Sequence, residues 1–125
     1  MKVVVVGGGS WGTAFACLLR DRGHGVTLVC RDPEQAQAIR ETRRNPRYLP
    51  NADLSGIEAS ASDARPFADA DLVVLAVPSS AFADVAARIP GDAPVLGLAK
   101  GLDPATGERL STRVAERPVA RLGIG

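Results

Sequence analysis

Residues 1–19 read "MKVVVVGGGSWGTAFACLL". Lys2 to Val6 is a β-branched run without alternation, the pattern of a strand buried on both faces of a parallel sheet. Trp11, Ala14, Phe15, Leu18 and Leu19 then recur at i, i+3, i+4, i+7 and i+8, one apolar face of a helix. Between the two, Gly7, Gly9 and Gly12 fit G-x-G-x-x-G in the strand–turn–helix setting that makes this motif informative. Gly7 permits the tight turn, Gly9 lets the backbone approach a pyrophosphate, and Gly12 lets the helix pack close to the strand. Unpaired N–H groups at the helix start face such an anion, and the helix dipole adds attraction. Ser10 offers a hydroxyl donor at the same place. The competing reading is a glycine turn with no ligand. It is disfavoured because three consecutive glycines are costly unless something must come close.

Outward from this stretch, strands and helices alternate. "DRGHG" stops the first helix with Gly23 and Gly25, and "VTLVC" (Val26 to Cys30) is a second short buried strand. Asp32-Pro33 starts a helix whose apolar residues thin out beyond Ile39, and "RRNPRYLPN" is a polar, proline-punctuated loop. "GIEASA" reads as a weak strand, "DARPFADA" as a brief helix, and "DLVVLAV" (Asp71 to Val77) as a strong strand ended by Pro78. Ser79 or Ser80 caps a helix that buries Phe82, Val85, Ala86 and Ile89. "APVLGLAKG" gives a further strand ending near Ala99. Thr106 to Glu116 reads as a helix, and "VARLGIG" as a strand cut short by the end of the chain. This order implies right-handed βαβ units and one α/β domain over residues 1–125, a doubly wound parallel sheet of the Rossmann type. Ligands of such sheets lie at the carboxyl ends of the strands. The positions that matter are therefore Gly7 to Gly12, Arg31, Pro78 to Ala81, and Lys100.

Composition bounds the partners. The 125 residues are 46% apolar and 23% charged, enough for a packed core, and the net charge of +1 is too balanced for a nucleic-acid or membrane binder. No apolar run approaches transmembrane length. Cys17 and Cys30 form no CxxC and no Cys/His cluster, so they read as free thiols and no metal site is expected. His24 lies in a turn, where a lone histidine is seldom a ligand or a base. A soluble cytoplasmic domain is expected.

The end of the second strand discriminates between nicotinamide coenzymes. An Asp or Glu there would bond the ribose 2′-OH of NAD, but this chain presents Cys30 and then Arg31. A guanidinium can stack on adenine and pair with a 2′-phosphate, so NADP is preferred and NAD tolerated. Asp32 is read as the helix cap before Pro33.

"GGGSWGTAFA", "VTLVCRDPE", "IRETRRNPRYLP", "DADLVVLAVPSSAF" and "LAKGLDPATGERLS" together resemble the bacterial NAD(P)-dependent glycerol-3-phosphate dehydrogenases, in order and up to about Val114. The resemblance implies an oxidoreductase interconverting sn-glycerol 3-phosphate and dihydroxyacetone phosphate, in glycerophospholipid synthesis. By matching position it makes Ser10, Trp11, Arg31 and Tyr48 cofactor contacts, and Lys100 a residue shared by cofactor and substrate. Trp11 can also be a core residue on the helix face, and Tyr48 a plain loop anchor. Lys100, after a buried strand and before Gly101, can attract a phosphate or polarise a carbonyl. The family usually has alanine where Gly8 stands, a change that adds freedom and removes no function. Family members also continue into a helical C-terminal domain that carries the lysine proposed as catalytic acid/base, whereas this chain ends at "RLGIG". No catalytic residue is therefore assigned here, and the chain alone is expected to be inactive. The resemblance points to a homodimer formed largely through that further domain, whose docking face on this chain would be exposed apolar surface. The alternatives are a non-catalytic NAD(P)-binding module or redox sensor, and a related 3-hydroxy-acid dehydrogenase domain.

Overall fold

The valine run becomes β1 (Lys2–Val6), the strand around which the sheet is organised. A computed structural model describes residues 1–61, 65–77, 82–91, 93–97 and 119–121. β1 is followed by α1 (Ser10–Asp21), β2 (Gly25–Cys30), α2 (Pro33–Thr42), β3 (Ile57–Ala61), α3 (Arg65–Ala68), β4 (Leu72–Leu75), α4 (Phe82–Ala87), β5 (Val95–Gly97) and β6 (Val119–Arg121). The strand order is β3-β2-β1-β4-β5-β6, and every pairing is parallel. The order runs outward in opposite directions on the two sides of β1, so the carboxyl ends of β1 and β4 flank the switch point where ligands of this architecture sit.

Alternation along β1 explains why both faces need helices. Val3 and Val5 pack into one core with Ala16 of α1, Ala36 and Ile39 of α2, Leu28, Ile57 and Val74. Val4 packs into the other with Phe67 of α3, Ala86 of α4, Ile89, Val73, Leu75 and Val95. Each of these valine, leucine, isoleucine and phenylalanine side chains contributes about 1.5–3 kcal/mol on burial, which fixes the register of the central strands.

The local stops and starts follow backbone chemistry. α1 ends in a Schellman motif: Gly23 takes φ 88°, its N–H bonds Arg20 O, and His24 N–H bonds Leu19 O. Asp32 caps α2 by accepting from Glu34 N–H at 2.9 Å, with Pro33 at the first helical position. The weak "GIEASA" signal is a strand at the sheet edge, and "VAR" of the last stretch is paired as β6. β2 starts one residue earlier than expected and β4 stops two residues before Val77. The expectations for Pro78, Ser79, Ser80, Ala99 and the helix from Thr106 to Glu116 lie outside the described residues, as does the Phe82 side chain.

One expectation is corrected. The face of α1 turned to the sheet carries Gly12, Thr13 and Ala16, with Phe15, Cys17 and Leu19 packed beside them. Trp11, at 63% exposure, Ala14 and Leu18 face outward. The reason is the close approach of helix to strand. Only small residues fit at the closest contact, so of the expected face Phe15 and Leu19 pack beside it while Trp11, Ala14 and Leu18 do not.

Candidate dinucleotide-binding site

The turn between β1 and α1 is set by three glycines with three different constraints. Gly7 takes φ 121°, its N–H bonds Val29 O at 2.9 Å, and a Cβ there would lie 2.1 Å from Ala76 O. A Cβ on Gly12 would lie 1.9 Å from Gly7 O, so the first helical turn rests on the turn itself. Gly9 is the contrast. Its backbone is extended (φ −79°, ψ −171°), and a Cβ there would meet nothing within 4 Å. Gly9 O accepts the first helical bond, from Thr13 N–H at 2.9 Å. The N–H groups of Gly9, Ser10, Trp11 and Gly12 have no acceptor among the described residues, and the first turn of α1 has no acidic side chain. Open space beside a row of unpaired donors at the positive end of a helix is an anion cradle.

Gly8, the extra glycine of the run, is closely packed by side chains. A Cβ there would lie 2.9 Å from Gln35 Nε2 and 3.0 Å from Cys30 Sγ. Gly8 O accepts from Gln35 Nε2 at 2.8 Å and from Asn45 Nδ2 at 2.9 Å. In this chain the missing side chain makes room for a buried amide pair.

That pair ties in the loop after α2. Asn45 is fully buried, Gln35 is buried, and Asn45 Nδ2 also donates to the buried Thr13 Oγ1 at 2.9 Å. Asn45 Oδ1 accepts from Gln35 Nε2 at 3.1 Å and from the N–H groups of Arg47 at 3.1 Å and Tyr48 at 3.3 Å. The "NPRYLP" loop is thereby fastened to the glycine turn, and Tyr48 stands 43% exposed upon it. No motif in the sequence marks Thr13, Gln35 or Asn45 as a site residue. An Asn-Pro dipeptide marks a turn, but nothing in the string says that the amide reaches back 37 positions.

The end of β2 lies beside the same loop. Arg31 is exposed and forms no ion pair among the described residues. Asp32 bonds Glu34 N–H through one oxygen and the Arg47 guanidinium through the other. The Glu34 N–H, and then Arg47, hold its carboxyl below the usual carboxylate range. Cys30, just before it, is buried, and burial pushes its thiol up to about 11. Cys17 and Cys30 are both free thiols, and the described residues contain no cluster of metal-ligating side chains. Ser10 is exposed at the start of α1, and Lys100 lies outside the described residues.

A parallel sheet in this order, with an open glycine turn at its switch point, defines a Rossmann-type α/β domain of the dinucleotide-binding class. Residues 2–122 match the family model described as NAD-dependent glycerol-3-phosphate dehydrogenase N-terminus. The chain belongs to that family. It is 41% identical over 124 residues to glycerol-3-phosphate dehydrogenase [NAD(P)+] of Nocardia farcinica, covering 92% of this chain and 37% of that protein. It is 40% identical over 132 residues to the protein of the same name from Corynebacterium kroppenstedtii, covering 99% and 40%. Among solved structures it is similar to glycerol-3-phosphate dehydrogenase from Coxiella burnetii, with a TM-score of 0.82 and 27% identity over 95% of this chain and 39% of that one. The chain thus spans 37–40% of the length of these curated relatives. The family match does not favour the sensor and 3-hydroxy-acid alternatives.

Proposed function

We infer that this chain binds a nicotinamide dinucleotide at the β1–α1 turn and serves a whole protein that interconverts sn-glycerol 3-phosphate and dihydroxyacetone phosphate. The observation that carries the reading is Gly9, whose outward side is open while its neighbours Gly7 and Gly12 are packed against backbone oxygens. The residues present fit such a group: unpaired N–H groups of Gly9, Ser10, Trp11 and Gly12 for the pyrophosphate, and Arg31 and Tyr48 for the adenosine end. Hydride transfer would be the chemistry that a nicotinamide held there brings to the site. This chain's residues hold and orient the dinucleotide. Lys100 is assigned to cofactor and substrate by its place in the family pattern. The same reading carries a cytoplasmic location and a homodimeric whole protein.

NADP is the preferred coenzyme in this proposal. Two features support it: the exposed Arg31 directly after β2, and the engagement of both Asp32 oxygens by Glu34 and Arg47, which leaves that carboxylate a poor partner for a ribose 2′-OH. Replacing Arg31 with Ala is expected to weaken NADPH binding by about tenfold or more, the value of a charge-assisted phosphate contact, and NADH binding by much less. Titration of both coenzymes by fluorescence checks this. Equal losses would remove the NADP assignment, and no binding of either by the unaltered chain would remove the cofactor reading.

A further inference from the structure

The loop from residue 43 to residue 51 is exposed at every position but one, and that one is Asn45, a polar side chain with no exposed surface. A buried amide is tolerated only when its donors and acceptors are used. Here both are: two bonds from Nδ2, to Gly8 O and Thr13 Oγ1, and three to Oδ1, from Gln35 Nε2 and the N–H groups of Arg47 and Tyr48. Gly8 O receives a second bond from Gln35 Nε2. The trans peptide joining Gly8 to Gly9 is planar, so its carbonyl and its N–H point to opposite sides. With the Gly8 carbonyl held inward by two amide donors, the Gly9 N–H is aimed away from them. Flanking glycines otherwise leave such a peptide free to rotate as a unit.

We propose that Asn45, assisted by Gln35, is the positioning residue of the cofactor turn: it fixes the Gly8–Gly9 peptide so that Gly9 N–H donates to a bound pyrophosphate. The proposal rests on the cofactor reading above. It differs from a purely structural role because it acts on the pyrophosphate and leaves a ligand without one unaffected.

Asn45→Asp separates the two. The replacement keeps the acceptors for Gln35, Arg47 and Tyr48 and removes the donors to Gly8 O and Thr13 Oγ1. Binding of NADPH and of 2′-AMP, which lacks the pyrophosphate, is measured by calorimetry or NMR on the full chain. NADPH affinity is expected to fall by about tenfold, the value of a redirected hydrogen bond, while 2′-AMP affinity changes by less than about twofold. Unchanged NADPH affinity, or equal losses for both ligands, would overturn the proposal. If Asn45→Asp does not fold, Gln35→Met, which removes the other donor to Gly8 O, is read in the same assay. A selective loss of NADPH supports the proposal, and no selectivity overturns it. Failure of the unaltered chain to bind NADPH and NADH would instead remove the cofactor reading, and this proposal with it.

Discussion

At Gly9 a methyl group would project into open space, whereas at Gly7 and Gly12 it would collide with backbone oxygens that cannot swing aside. The three positions of one motif therefore predict opposite phenotypes. Gly7→Ala and Gly12→Ala are expected to destabilise the chain by about 3 kcal/mol or more, through backbone clash and, at Gly7, a positive φ. Gly9→Ala is expected to leave stability within about 0.5 kcal/mol and to weaken NADPH binding by about tenfold or more, since its methyl would sit where the pyrophosphate must come. Chemical denaturation paired with cofactor titration checks both halves. A large stability loss in Gly9→Ala would contradict the open geometry. The motif itself was legible in the sequence, as were the tight turn at Gly7 and the close helix packing at Gly12. The Gly8 constraint was not, because it comes from Gln35 and Cys30, side chains brought in from the second strand and helix.

The element that departs furthest from its sequence pattern is α1. Five apolar positions at helical spacing pointed to one face, but the helix presents Gly12, Thr13 and Ala16 to the sheet, keeps only Phe15 and Leu19 of the five against the core, and leaves Leu18 48% exposed. Leu18→Gln is accordingly expected to change stability by no more than about 0.5 kcal/mol. Ala16→Leu, on the packed side, should cost about 1–3 kcal/mol by overpacking. Thermal unfolding of the two variants ranks them, and the reverse order would restore the periodic reading. Helix α2 behaved otherwise: Asp32 and Pro33 announced its start, and the cap bond stands where they placed it. Capping is chemistry between neighbours and can be read locally. The buried face of a helix depends on what it packs against.

Across the whole molecule, the titrating groups make opposite pH predictions. Asp32 and Asp53 are held below their ordinary range, chiefly by the Glu34 N–H and by Ser55 respectively. Their unfolded forms bind protons more readily, so the stability they contribute is present above about pH 4 and is lost as pH falls through the folded values. Cys30 runs the other way, from 9.0 up to about 11 by burial. Its contribution is complete below the unfolded value and is lost as pH rises towards about 11, because the unfolded thiol ionises first. Urea unfolding across pH should show both flanks, and Cys30→Ala should flatten the alkaline one. An unchanged alkaline slope in that variant would refute the assignment to Cys30. No helix among the described residues is long and apolar enough to cross a membrane.

The sequence by itself determined what neighbouring residues dictate: the buried valine strand, the glycine turn, the helix stops and caps, and the α/β alternation that leads to a parallel sheet. It also carried the family, because "GGGSWGTAFA", "NPRYLP" and "AKGL" occur together and in order. Tertiary structure alone decided which face of α1 is buried, what packs against Gly8, and that Asn45 and Gln35 grip the turn. Those features join residues 27 and 37 positions apart, and a hydrogen bond across that span exists only once the sheet has brought the carboxyl ends of β1 and β2 side by side.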